Sequence, residues 1–265
     1  MGSVMDGEMN IETIGQGRPL IYLHDWGFTS QVWGRQVEFF RGLYRNVLID
    51  YNLPRLEPGV DHENILETLA GLILEQLDGE APRAILANGL GSFVAFELLD
   101  RGLAAEGLVL FGGLVRLTND DKYLSGLRQE RVAAMRKSLH ANPRKMLSGY
   151  YQFAFSGEGE HPPDDLTRSM PLNTLDFLKA AFDAMISHDY QDVLGSITCP
   201  TLIMHGDADK VAPLWQGETI RKLMPNAELE VCKSAGHVPF LTHYPMVNRR
   251  VARFLDATAP GVQQG

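Results

Sequence analysis

Short, continuous apolar runs bounded by Gly, Pro or Asp alternate along this chain with longer stretches in which apolar residues recur at three- and four-residue spacing. That alternation constrains the fold more than any other feature, because it is what parallel strands joined by crossover helices require. The runs lie at Asn10 to Ile14, Pro19 to His24, Asn46 to Asp50, Ala84 to Ala87, Gly107 to Phe111, Thr201 to His205 and Glu228 to Cys232. From Leu20 onward they read as continuous Leu/Ile/Val runs without polar alternation, the pattern of strands covered on both faces, so a mostly parallel α/β sheet is expected. Helical spacing covers Gln31 to Phe40, Glu63 to Leu77, Ser92 to Leu103, Leu214 to Leu223 and Pro245 to Leu255.

One interval breaks the rule. From Leu117 to Val193 the chain keeps helical patterning but offers no buried strand, and it reads as a helical insertion, a lid, in a single large domain. The core domain is therefore expected over 1–116 and 194–258, the lid over 117–193 and a flexible tail over 259–265. Gly157 to Pro163 is expected to divide the lid into two helical hairpins.

Composition closes several alternatives. With 24 Lys+Arg against 33 Asp+Glu the net charge is −9, opposite in sign to that of a nucleic-acid binder. Cys199 and Cys232 are too few for a disulfide framework or a thiolate metal site and read as buried thiols; no metal site is expected. Met1 to Met9 has no apolar signal region, and no window nears the ~18 apolar residues of a membrane span. A soluble, cytoplasmic protein with no membrane span is expected, and a monomer.

The chemistry concentrates at three turns. Ala84 to Ser92 runs from a buried strand into a helix through small residues, the setting of a nucleophile elbow, G-x-S-x-G. Laid on this chain, Ala87 takes the first Gly, Gly91 the last, and the nucleophile position is Gly89. The apex residue usually has φ > 0, which glycine adopts readily, so Gly89 keeps the turn while lacking the nucleophile. Ser92 is the alternative nucleophile, but it falls inside the helix. By itself the segment also fits a plain tight βα turn or a phosphate-cradling helix start.

The other two turns follow later strands. Gly206 to Pro213 offers Asp207 and Asp209; Asp209 is the chosen acid, and Asp207 is assigned to loop amides. Ser234 to Phe240 presents His237 before the last helix. The chain order of nucleophile position, acid and histidine is that of a hydrolytic triad, in which the acid orients the imidazole and the imidazole moves the proton. His243 is expected to order the last helix, and His62, His140, His161 and His188 read as surface residues. An oxyanion needs convergent N–H donors; the amides of Trp26, after the second run, and of Leu90, after the apex, are the candidates. Asp25 is out of place there, since a carboxylate opposes developing negative charge.

Leu23-His24-Asp25-Trp26-Gly27, the turn up to Gly91, Gly206 to Pro213 and Ala235 to Pro245, with its H-x-P-F-x-[ST]-H pattern, are similar to the α/β-hydrolase family. Within it they resemble carboxylesterases acting on the pimeloyl-acyl-carrier-protein methyl ester of biotin synthesis. The resemblance implies an α/β-hydrolase fold with a helical lid. It also implies hydrolysis of an ester, small or borne on acyl carrier protein, by Ser-His-Asp acyl transfer without a cofactor. Three departures stand out: Gly89 for the serine, Asp25 for the glycine of L-H-G-W-G, and Asp50 to Pro54 for D-L-P-G-x-G.

Lys122 to Lys145 carries seven basic residues against Glu130 alone, a local reversal of sign. It reads as a solvated helix face or as a docking surface for an acidic partner. The resemblance implies acyl carrier protein, with Arg128, Arg131, Arg136 and Arg144 as the candidate contacts. The sequence thus leads to an esterase scaffold without its nucleophile, expected to be impaired or to trap substrate, in which Gly89→Ser restores turnover. The alternatives are a non-hydrolytic binder of acyl chains or acyl carrier protein, and a cofactor-free enzyme using a His237/Asp209 dyad.

Overall fold

The structure, a computed structural model, describes residues 9–51, 64–119, 126–157, 159–162 and 175–259. Seven strands form one sheet: β1 (Asn10–Ile14), β2 (Pro19–Leu23), β3 (Arg45–Asp50), β4 (Ala84–Asn88), β5 (Leu108–Phe111), β6 (Thr201–Gly206) and β7 (Ala227–Cys232), ordered β1-β3-β2-β4-β5-β6-β7. All neighbours pair in parallel except β1 with β3. The fold is that of an α/β hydrolase.

β2, β4 and β5 are buried along their whole length, because helices cover both faces. Each buried Leu or Ile there contributes roughly 1.5–3 kcal/mol. The reading of β7 as a strand covered on both faces is corrected: it is a sheet edge in which Glu228 and Glu230 reach out to Arg250, at 2.7 and 2.5 Å. Charged side chains on an edge strand also discourage pairing with another chain. Cys232 is buried as expected, but Cys199 is only partly so.

The helices on the sheet are α1 (Gly34–Phe40), entered through a 3₁₀ turn at Ser30–Trp33, α2 (Ile65–Leu77) and α3 (Leu90–Asp100). In α2, Leu66, Leu69, Ile73 and Leu77 form the buried stripe. Between β5 and β6 the described residues form α4 (Gln129–Ala141), α5 (Pro143–Ala154), α6 (Leu175–Ser187) and α7 (Gln191–Leu194), and no strand of the sheet. Asn142 separates α4 from α5 and caps the latter, its side chain accepting the Lys145 N–H at 3.0 Å with Pro143 following. After β6 come α8 (Trp215–Leu223), α9 (Pro239–Thr242) and α10 (Tyr244–Ala257). Expectations for Met1 to Glu8, Asn52 to Pro54, His62, Glu63, Lys122, residues 158 and 163 and the tail from 260 lie outside the described residues. No helix among the described residues is long and apolar enough to cross a membrane.

Candidate active site

The sheet register builds the first half of the site. β2 and β4 are neighbours with Leu23 opposite Ala87, so the chains leaving them place Asp25 and Gly89, each two residues further on, side by side. Gly89 has φ 50° and ψ −112°, a conformation that glycine holds without strain. It turns β4 into α3 tightly enough that a side chain at Gly91 would strike the Leu23 carbonyl oxygen at 2.3 Å.

The space beside Gly89 is filled. A Cβ on Gly89 would lie 2.0 Å from Cγ and Oδ1 of Asp25 and 2.3 Å from its Oδ2. The Asp25 carboxylate therefore stands where a side chain of residue 89 would begin. Its Oδ1 accepts the N–H of Trp26 at 2.6 Å and that of Leu90. These are the two amides assigned from sequence to an oxyanion, and a protein carboxylate already satisfies both. The two departures at positions 25 and 89, separate in the sequence, are one feature in space.

The second half is the proton relay. His237 Nδ1 lies 2.7 Å from Asp209 Oδ2, and its Nε2 lies 3.0 Å from Asp25 Oδ2. Asp209 is fixed through Oδ1, which accepts the N–H groups of Val211 and Ala212, each at 2.8 Å. The His237 loop is held by its own N–H on the Ala154 carbonyl at 2.8 Å and by the Asn88 side-chain amide on the His237 carbonyl at 3.2 Å. It packs so closely on the turn after β5 that Gly112, at φ 51°, leaves no room for a Cβ, which would meet His237 Nδ1 at 2.4 Å. Burial by itself would lower the imidazole, but the Asp209 and Asp25 carboxylates on its two nitrogens outweigh it and raise its pKa to about 10.

Sequence reasoning missed two residues that complete this arrangement. Tyr150, on α5, donates its hydroxyl to Asp25 Oδ2, and burial together with the Asp25 charge pushes its pKa well above the ordinary tyrosine value, so it stays a donor. Glu160 Oε2 accepts the N–H groups of Gly157, at 3.2 Å, and Gly236, at 3.1 Å, tying the inserted segment to the histidine loop. Neither belongs to a local motif. The only signal in the sequence was the Tyr150-Tyr151 pair on a helix of the insertion.

The remaining candidates fall apart from the relay. Ser92 lies in α3, its hydroxyl fully buried and without a hydrogen-bond partner. Asp207 accepts the Ser234 N–H at 2.7 Å. His243 precedes α10, 3.4 Å from Glu160 Oε1. His140 and His161 are exposed, whereas His188 is partly buried and stacks on Tyr190. Asp25 and Tyr150 line a cavity of about 250 Å³ together with apolar residues including Trp26, Leu114, Phe182 and Met185. Arg131, Lys145 and Lys210 also line it. Arg128 and Arg144 are exposed, and Arg136 is paired with Asp183 at 2.8 Å. No group of three or more His, Cys, Asp or Glu that could hold a metal ion occurs among the described residues.

The model of the alpha/beta hydrolase family matches residues 20–250. A pimeloyl-[acyl-carrier protein] methyl ester esterase of Legionella pneumophila (strain Paris) is 24% identical over 245 residues, covering 89% of this chain and 94% of its own. One from Methylococcus capsulatus is 26% identical over 271 residues, with 94% and 98% coverage. Among solved structures, an esterase from Exiguobacterium antarcticum superimposes with a TM-score of 0.83 at 23% identity, covering 97% of this chain and all of that one. A bromoperoxidase from Bacillus anthracis gives a TM-score of 0.80 at 21% identity, over 94% and 96%.

Proposed function

We propose, from the premise that this chain belongs to the alpha/beta hydrolase family, that it is an esterase-derived protein in which serine acyl transfer is closed and the ester-binding cavity retained. One observation carries this reading: the Asp25 carboxylate fills both the place of the missing side chain at Gly89 and the two N–H groups of the oxyanion site. An ester carbonyl entering the cavity meets no serine at the apex of the turn after β4, and the Trp26 and Leu90 amides are already taken by Asp25. The imidazolium of His237, held between two carboxylates, is also in the wrong protonation state to act as a base.

The relatives are named as esterases acting on a pimeloyl-[acyl-carrier protein] methyl ester, and the apolar lining of the cavity supports a substrate of that kind. Its walls would take an apolar acyl chain, while Arg131 and Lys145 extend a cationic face toward an acidic carrier protein, with Arg128 and Arg144 exposed on the same segment. On this reading 117–193 serves as a lid. The ester, small or carrier-bound, is held without becoming an acyl-enzyme at residue 89.

Hydrolysis of a p-nitrophenyl acyl ester by this chain and by the double variant Asp25→Gly/Gly89→Ser tests the reading. The expected result is no turnover above the buffer rate by the native chain and at least about 10³-fold more by the double variant, since the nucleophile carries most of a triad's advantage. Comparable turnover by both would overturn it.

A further inference from the structure

We propose that the cavity binds a free straight-chain carboxylic acid tail first, with its hydrocarbon end toward Asp25 and Tyr150 and its carboxylate at the mouth on Arg131, Lys145 and Lys210. The inference rests on the reading above, that acyl transfer is closed and the cavity retained. It deepens that reading by naming the ligand the cavity favours and the direction in which it enters.

The two ends of the cavity offer a ligand different things. At the Asp25 end the polar groups are already engaged inside the protein. Asp25 Oδ1 accepts the Trp26 and Leu90 amides, and its Oδ2 accepts the Tyr150 hydroxyl and lies 3.0 Å from His237 Nε2. The Trp26 indole N–H donates to the Leu178 carbonyl at 2.8 Å. A polar head placed there would lose its water and gain no partner, a cost that a methyl end does not carry. A carboxylate head would also face a like charge, because Asp25, and not His237, is among the residues lining the cavity.

The mouth carries charge of one sign. Arg131 on α4, Lys145 on α5 and Lys210 after β6 line the cavity, all three are exposed, and no described residue forms an ion pair with any of them. Among the described residues lining the cavity Asp25 is the one acid, and it is buried. Exposure marks the mouth and burial the interior, so the cavity has a cationic rim and an apolar depth. Lys145 and Tyr150 stand on the same helix, about 7.5 Å apart along its axis at 1.5 Å per residue. One ligand can therefore meet the rim with its head and the Asp25 end with its tail. Between them Met135, Met146 and Met185, unbranched and adaptable, join Leu114 and Phe182 around a flexible hydrocarbon chain. Cationic donors bond an anion more strongly than a neutral carbonyl. The free acid is thus favoured over its ester, and a cationic amphiphile is repelled.

Titration calorimetry of the native chain with decanoate, octanoate, sebacate, methyl decanoate and decyltrimethylammonium, each below its micelle concentration, tests the proposal. Decanoate is expected to bind about tenfold more tightly than octanoate, from the two further methylenes buried. Sebacate, the same chain with a carboxylate at both ends, is expected to bind at least about 30-fold more weakly than decanoate, because its second head must enter the Asp25 end. Raising the salt concentration about tenfold should weaken decanoate several-fold and leave methyl decanoate unchanged. The variant Arg131→Gln/Lys145→Gln/Lys210→Gln, altered only at exposed positions and checked by its melting temperature, is expected to lose about tenfold in decanoate affinity and less than about twofold in that for methyl decanoate. Sebacate, methyl decanoate or decyltrimethylammonium bound as tightly as decanoate, a folded triple variant with unchanged affinity, or no binding of decanoate would each overturn the proposal. The native-chain titrations need no variant to fold. Failure of the underlying reading shows separately, as methanol released from methyl decanoate by the native chain, whether or not decanoate binds.

Discussion

The two halves of the site were built under different rules. The half made by the loops after β6 and β7 keeps the residue types and order of a hydrolytic relay, with His237 on Asp209 at 2.7 Å and Asp209 fixed by two backbone amides. The half made by the turns after β2 and β4 departs from that pattern: glycine stands at the apex, and a carboxylate from the neighbouring turn fills the space beside it. The difference teaches that the absence of a serine here is not a simple deletion. Glycine at 89 and a carboxylate at 25 occur together, and the histidine bonds to that carboxylate.

The largest expected effect is on the departing half. Gly89→Ser by itself forces a Cβ into the Asp25 carboxylate at a positive-φ position, and overpacking together with backbone strain should cost roughly 2–5 kcal/mol. In the Asp25→Gly background the same change should cost much less, giving a coupling of roughly 1–3 kcal/mol by urea unfolding. Additive costs would break the comparison. This also alters the expectation from sequence that Gly89→Ser is a sufficient repair.

The next effect is on pH dependence. The imidazole of His237 is raised to a pKa of about 10 in the folded chain, against 6.5 for an ordinary histidine such as the unfolded chain presents. Its stabilisation is therefore complete below about 6.5 and is lost as pH rises through 10. The melting temperature of the native chain should fall between pH 7 and 10.5 more steeply than that of Asp25→Asn, which lacks one of the two carboxylates (a window of about 3.5 pH units spanning the shift). Parallel curves would show that Asp25 does not hold the imidazolium.

Smaller effects sharpen the boundary of the departing half. Tyr150→Phe removes a hydrogen bond to a charged oxygen and should cost about 1–2 kcal/mol in thermal unfolding, with no loss expected if Tyr150 were only a packing residue. Ser92→Ala should be near neutral, within about 0.5 kcal/mol, because its buried hydroxyl makes no hydrogen bond. A large loss at Ser92 would return it to consideration as a working residue.

What was legible in the sequence was local. Apolar runs located the strands between the two edges, β2 to β6, to within about a residue or two, because continuous apolar sequence is how a covered strand must read. β7 was misread as covered on both faces since its apolar residues alternate with Glu228 and Glu230, which only an edge allows. Gly89, Asp209 and His237 could be picked out because each lies in a short turn after a strand. The Asp25 arrangement could not, since it depends on Leu23 standing opposite Ala87 across the sheet. Tyr150 was equally hidden, as its contact spans 125 residues of sequence from an inserted helix to the turn after β2.

Intact-mass labelling with a fluorophosphonate across the native chain, Asp25→Gly, Gly89→Ser and the double variant tests the pairing of Gly89 with Asp25 most directly. The account gives covalent phosphonylation of the double variant alone, because only there does a hydroxyl stand at the apex with the carboxylate gone and the two amides free. Labelling of Gly89→Ser as fast as the double variant would contradict it, since Asp25 would then not occupy the place of the missing nucleophile.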